Sequence, residues 1–213
     1  MRAWLIIAGA VTKDDAEFYR TIRVQNGDLI IAVDGGYDNA LMFGMYPGVV
    51  VGDLDSINSS ISKGIKVLQY PAEKDKTDTE LAVDYALEQG ASEIVILGNI
   101  AGRISHSLAN IMLLRRIQGA GFGVQAEGLL LSSRERICLL EGGKTSIPKG
   151  DSKYLSLIPI SDCENVTITN TKYEIKNANI ALGSTHLISN EFTILDAKIS
   201  VEKGEVLIVA EKA

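Results

Sequence analysis

Short runs of continuously apolar residues, set between stretches of helical period, dominate the chain up to about residue 120 and restrict what it can fold into. Leu29-Ile30-Ile31-Ala32-Val33, Val49-Val50-Val51, Lys66-Val67-Leu68 and Ile94-Val95-Ile96-Leu97 lack the polar alternation of a half-solvated strand. Strands of this kind are buried on both faces, as in a parallel sheet covered by helices. Between them, Asp14 to Arg20, Tyr37 to Phe43, Thr77 to Gln89 and Ser105 to Gln118 carry helical patterns. A capping box at Thr77-Asp78-Thr79-Glu80 opens the third helix and Gly90 stops it. The apolar start Trp4-Leu5-Ile6-Ile7 reads as a first strand, too short for a secretory signal with its cleavage site or for a bilayer span. The expected N-terminal architecture is a doubly wound α/β domain.

After Gly119-Ala120-Gly121 the rhythm changes. No helical period is evident from residue 129 on. Strand-like runs follow instead, at Arg136 to Leu140, Tyr154 to Pro159, Val166 to Thr169, Tyr173 to Lys176, Ala197 to Val201 and Val206 to Ala210. Glu141-Gly142-Gly143, Pro148-Lys149-Gly150 and Lys203-Gly204 punctuate them as expected turns. That spacing predicts an all-β sandwich or barrel. Two domains are therefore expected, an α/β domain over 1–125 and a β domain over 126–213. A net charge of -6 argues against a nucleic-acid partner, and no segment reads as a membrane anchor, so a cytoplasmic chain is expected. Cys138 and Cys163 have no metal-ligand spacing and read as buried thiols.

Ligands of an open parallel sheet bind beyond the carboxyl ends of its strands, and the polar residues collect there. One strand ends in Asp34-Gly35-Gly36, the next in Gly52-Asp53-Leu54-Asp55-Ser56; a third leads to Lys74-Asp75-Lys76-Thr77-Asp78, a fourth to Gly98-Asn99-Ile100-Ala101-Gly102-Arg103. In an extended segment Asp53 and Asp55 project to one side, roughly 6.5 Å apart. Two such carboxylates repel unless a cation lies between them, and Mg²⁺ with its hard oxygen ligands meets that demand. The same residues also suit a solvated turn. Asp75 and Asp78 add acids at a helix start, where they equally serve the helix dipole. Lys74 and Lys76 are phosphate contacts or solvated neighbours. Arg103 precedes a helix N-terminus, a natural phosphate cradle, and His106 and Asn110 share one face of that helix. Neither a Gly-x-Gly-x-x-Gly nor a Walker A pattern occurs.

In this order, Asp34-Gly35-Gly36, Gly52-Asp53-Leu54-Asp55-Ser56, Lys74-Asp75-Lys76-Thr77-Asp78-Thr79-Glu80 and Gly102-Arg103-Ile104-Ser105-His106-Ser107-Leu108-Ala109-Asn110 resemble the thiamine pyrophosphokinase family. Tyr154-Leu155-Ser156-Leu157-Ile158-Pro159 and Ser189-Asn190-Glu191-Phe192 extend the resemblance over essentially the whole chain. The resemblance implies a Rossmann-like α/β domain carrying ATP and Mg²⁺, a C-terminal β-sandwich, and a homodimer whose thiamine sites lie where the subunits meet. It implies transfer of the diphosphoryl group of ATP to the thiamine hydroxyl, with Asp53, Asp55 and Asp78 holding Mg²⁺, Asp75 supporting them and Arg103 neutralising phosphates. Asp34, Gly35, Gly36, Lys76, Thr77, Arg103, His106 and Asn110 would face ATP, with Asp34 in contact with substrate or metal. Ser189, Asn190 and Glu191 would line the thiamine pocket. The chain departs from the family pattern at Gly48, Ala101, Leu187 and above all Ser105, where the family has an acid. Ser105 is expected to cap its helix through the hydroxyl. Two alternatives stay open: a diphosphokinase for another small alcohol such as a hydroxymethylpterin, and a non-catalytic thiamine- or nucleotide-binding paralogue.

Overall fold

The structure is a computed structural model that describes residues 1–98, 102–119 and 126–213. It divides into two compact units, Met1–Ser133 and Arg134–Ala213. The first unit is built on strands β1 (Arg2–Ile6), β2 (Leu29–Val33), β3 (Val49–Gly52), β4 (Lys66–Gln69), β5 (Glu93–Leu97) and β6 (Glu127–Leu131). They lie in the order β6-β5-β1-β2-β3-β4, every pair parallel. Helices α1 (Lys13–Arg20), α2 (Gly36–Phe43), α3 (Asp78–Glu88) and α4 (Ile104–Gln118) supply the crossovers. The chain runs outward from β1 to β4, then returns through α3 to the other side of β1. That reversal opens a crevice at the carboxyl ends of the central strands.

The sheet is apolar on both faces because both are covered. Trp4 and Ile6 of β1 pack with Tyr19 of α1 and Phe43 of α2, whose rings lie 4.2 Å apart. Ala3 and Leu5, alternating to the opposite face, are fully buried as well. Only β4 departs from the expectation of strands buried on both sides. It is the edge strand, and Lys66, Val67 and Gln69 are exposed on it. Glu127–Leu131 pairs in parallel with β5 and belongs to the first unit, so the compact division falls after the expected boundary at 125/126. Residues 99–101 and 120–125, including Ala101 and that boundary, lie outside the described residues.

Helix ends follow local chemistry. A capping box forms at Thr12 and Asp15, each side chain satisfying the other's backbone N–H, and starts α1. At α3 only half of the expected box exists. Thr77 Oγ1 accepts from the Glu80 backbone N–H at 3.2 Å, but Glu80 turns its carboxylate to Arg116 instead. Ser105 does not cap α4, because Arg103 occupies the N-cap and Ser105 falls within the first turn. At the start of α2 the helix lies almost on the backbone of β1. A Cβ on Gly36 would stand 2.0 Å from the Ile6 carbonyl oxygen, so any side chain there must push helix and strand apart.

The second unit is antiparallel and, among its described residues, has no helix. Its strands are β7 (Glu135–Ile147), β8 (Tyr154–Pro159), β9 (Cys163–Thr169), β10 (Ile175–Ile180), β11 (Asn190–Glu191) and β12 (Ala197–Glu211). β12 pairs along one edge with β7 and shares its other edge, first with β9 and then with β8. β10 continues from β9 and β11 from β8. Leu155, Leu157, Val166, Ile168, Ile199 and Ile208 fill the core, with Cys163 buried among them and Cys138 at its margin.

Two expected turns are not turns. Glu141-Gly142-Gly143 and Lys203-Gly204 lie inside β7 and β12, where the register shifts between Val201 and Glu205. Gly204 adopts φ 107°, a backbone closed to most L-residues, and the extra residue bends the strand rather than reversing it. Pro148-Lys149-Gly150 is a true turn, closed by Ser152 N–H to the Lys149 carbonyl at 2.9 Å.

Gly36→Ala is expected to destabilise the first unit by about 1–3 kcal/mol, as overpacking does. Thermal unfolding should show a midpoint lowered by roughly 2–10 °C, with the secondary-structure signal unchanged below it.

Candidate active site

The crevice at the carboxyl edge of the first unit is a cleft of about 450 Å³. Ile7 and Ala8 after β1, Val33 and Asp34 at the end of β2, and Asp53 after β3 form its floor. The loop before α3 gives Lys74, Asp75, Lys76 and Thr77, and the start of α4 gives Arg103, His106, Ser107 and Asn110. Two helix N-termini thus open on one space, each offering backbone N–H groups and the positive end of a dipole. His106 and Asn110 both reach the cleft, as one turn of helix requires.

The Asp-x-Asp segment is not extended. Leu54 takes φ 72°, in the left-handed region, and Asp34 takes φ 49°. The turn brings the carboxylates closer than a strand would, and a ligand oxygen from each of Asp34, Asp53 and Asp55 lies within 4.8 Å of the others. Leu54 is held in this backbone by packing against the cluster of Ala32, Tyr37 and Val50. Asp34 Oδ2 accepts from Ser56 Oγ, whereas Oδ1 is buried without a hydrogen-bond partner. A buried carboxylate oxygen with no donor is costly, and two more carboxylates beside it make the site one that a hard divalent cation would relieve. These donors fit such an ion. Repulsion from Asp53 raises the pKa of Asp55 above the usual carboxylate value, aided by desolvation and by Asp34 and Asp78.

Asp78, expected beside Asp53 and Asp55, stands outside this triad. It pairs with Lys74 Nζ at 3.0 Å but is near enough to be felt by Asp55. Asp75 lines the cleft and is exposed. Lys76 lines it too, yet its ammonium donates to Asp84 at 2.7 Å. Thr77 faces the cleft while capping α3. Gly35 and Gly36 do not line it. Gly35 N–H donates to Ser56 Oγ at 2.9 Å and Gly36 serves the contact between α2 and β1, so both support the Asp34 turn from behind.

In the second unit, Asn190 is buried and its amide is fully engaged. Nδ2 donates to Thr171 Oγ1 at 3.1 Å and to the Tyr173 carbonyl at 2.8 Å; Oδ1 accepts from the backbone N–H of Tyr173 at 3.0 Å and of Glu191 at 2.9 Å. Such an amide clamps a segment and has nothing left for a ligand. Its neighbours are freer. Ser189 is exposed, and Glu191 pairs with Lys172 at 2.6 Å. Leu187 is buried in the core of this unit.

The sequence analysis does not anticipate the ion cluster behind the cleft wall, where Asp84 and Glu80 of α3 meet Arg116 of α4. The one signal was an acid at 84 inside the apolar stretch Leu81 to Leu87, four residues after Glu80.

Fold and cleft together define an α/β protein whose candidate phosphate- and cation-binding site lies at the carboxyl edge of a parallel sheet. Residues 22–125 match the thiamin pyrophosphokinase catalytic domain and residues 144–206 the thiamin pyrophosphokinase vitamin B1 binding domain. The thiamine pyrophosphokinase of Bacillus subtilis (strain 168) is 37% identical over 188 residues, spanning 85% of this chain and 86% of that one. A crystal structure of thiamine pyrophosphokinase from Bacillus subtilis superposes with a TM-score of 0.86 at 29% identity, over 100% of both chains. One from Geobacillus thermodenitrificans gives 0.83 at 27%, over 100% of this chain and 98% of that one. The chain belongs to the thiamine pyrophosphokinase family.

Asp55 supplies a test of the triad. Its pKa is raised on folding, so it contributes stability below its ordinary value of 3.8 and loses that contribution as pH rises through the raised one. Without divalent cations, Asp55→Asn should therefore melt at a higher temperature than the parent at pH 7, with the gain shrinking toward pH 4. Melting curves across that range, in chelator, check it.

Proposed function

We propose that the protein catalyses transfer of the diphosphoryl group of ATP to the hydroxyl of thiamine, giving thiamine diphosphate and AMP. The carboxylate triad at the sheet edge, in a chain of this family, is the observation that carries the reading. The first unit is a Rossmann-like catalytic unit that takes ATP, and the second a β-sandwich that takes thiamine. The parallel order reversing beside β1, and the long β12 shared between β8 and β9, support those two descriptions. The intact triad favours an enzyme over a binding paralogue, and the vitamin B1 binding match favours thiamine over another alcohol.

Asp34, Asp53 and Asp55 are the residues to hold Mg²⁺, with Asp78 and Asp75 bordering them. When bound, such an ion neutralises phosphate charge and aligns the β-phosphorus for attack. The chain's own contribution is positioning. The start of α4, with Arg103, His106 and Asn110, and the start of α3, with Lys76 and Thr77, cradle the polyphosphate through backbone N–H groups and cations. One of the acids accepts the hydroxyl proton as the thiamine oxygen attacks, and AMP leaves. Ser189 and Glu191 face thiamine, with Asn190 fixing the segment that carries them. The working form is a homodimer in the cytoplasm. Exposed Tyr173, Ile194 and Leu195 on the second unit are apolar surface of the kind that subunit contacts cover.

AMP formation from ATP should depend on both thiamine and Mg²⁺, and Asp53→Asn should reduce it by a factor of about 100 or more, the scale of losing one charge-stabilising group in a desolvated site. AMP release that ignores thiamine, or an Asp53→Asn enzyme as fast as the parent, would overturn the reading. The first turn of α4 holds no acid. Ser105→Asp should accordingly raise turnover on the order of tenfold, the worth of one charge-assisted contact, in steady-state assays at saturating Mg²⁺ and ATP.

A further inference from the structure

Asp84 is an acid that the reaction as described leaves without a task. It lies on α3 between Val83 and Tyr85, only 8% exposed, and its carboxylate is gripped from two directions. Arg116 of α4 donates through Nε at 2.9 Å and Nη2 at 2.7 and 3.0 Å, while its Nη1 lies 3.5 Å from Glu80, one turn earlier on α3. From the other side Lys76 Nζ donates to Oδ2 at 2.7 Å. Lys76 belongs to neither helix. It comes from the loop before α3, and that loop is the wall of the cleft.

A forked Arg–carboxylate contact is by itself enough to tie α3 to α4. Arg116, however, is spread over two acids, so the cluster of Asp84, Glu80, Arg116 and Lys76 is neutral only with the lysine included. Holding a lysine in one rotamer costs side-chain entropy that a helix-to-helix lock does not require. What the fourth member adds is a cation fixed at the edge of the cleft.

We infer that Asp84 is a positioning residue acting through Lys76: it fixes the Lys76 ammonium, and with it the loop 74–77, at the wall where the polyphosphate of ATP lies. Arg116 and Glu80 hold Asp84 in register for this. Neither Asp84 nor Arg116 touches the reacting atoms; the gain is a cation set in place before the substrate arrives. The inference rests on the diphosphoryl transfer proposed above.

Steady-state kinetics on the full chain test it, comparing the parent, Lys76→Met, Asp84→Asn and the double variant, with melting curves for each. Each single change should lower kcat/KM for ATP by about tenfold and leave the KM for thiamine unmoved. In the Lys76→Met background, Asp84→Asn should cost nothing further. An equal loss in both backgrounds makes Asp84 merely structural and overturns the inference, as does full activity in Lys76→Met. Should Asp84→Asn fail to fold, Asp84→Leu combined with Arg116→Leu replaces the buried pair by an apolar contact, an exchange often neutral for stability. That variant must show the same ATP-specific loss, and the same silence beside Lys76→Met; full activity in it overturns the inference. A parent that releases no AMP sinks the functional reading and the positioning role with it, whereas an active parent with additive losses sinks the positioning role alone.

Discussion

Repulsion among three carboxylates is the constraint on which the first unit turns. Asp34, Asp53 and Asp55 would separate if their backbones were free, and the fold denies them that freedom. Left-handed backbone at Asp34 and Leu54 keeps the three carboxylates together, and packing of the partly buried Leu54 against Ala32, Tyr37 and Val50 holds the turn. Apolar packing one layer beneath thus supplies the free energy that the charges above consume. On the proposed assignment, a cation bound at these carboxylates would stabilise the folded chain by linkage between binding and folding.

The cations around this triad are distributed with equal economy. Lys74 pairs with Asp78 and Lys76 with Asp84, so acids of α3 hold both lysines of the loop before it. The starts of α3 and α4 add backbone N–H groups to the cations Lys74, Lys76 and Arg103 that line the cleft. An anion entering there meets fixed dipoles first, and its affinity depends on helix placement as much as on any one lysine.

Much of this was legible in the sequence, and the reasons it stopped are physical. The four helices of the first unit begin and end within about two residues of their expected limits, because apolar period and stop signals act locally. Glycine is ambiguous in the second unit, since a bulge and a turn demand the same left-handed backbone and only the partner strand distinguishes them. The spacing of Asp53 and Asp55 suggests an extended pair, whereas the structure turns at Leu54, because the conformation of Leu54 is set by tertiary packing. Asn190 sits in the expected thiamine segment, yet the bonds that occupy its amide come from Thr171 and Tyr173, nearly twenty residues away. Arg116 and Asp84 are likewise joined across 32 positions, beyond the reach of spacing rules.

The long strand β12 has a consequence for how the second unit comes into being. Every strand that borders it, β7, β8 and β9, precedes it in the chain, and its pairing with β7 spans residues from 135 to 211. During synthesis those earlier strands must wait with open edges until β12 arrives, since no local hairpin can satisfy them all. Closure is then a single late event of high contact order. In that interval, unpaired edges on two growing chains can find each other, so the hazard in making this protein lies in the delay before its final strand.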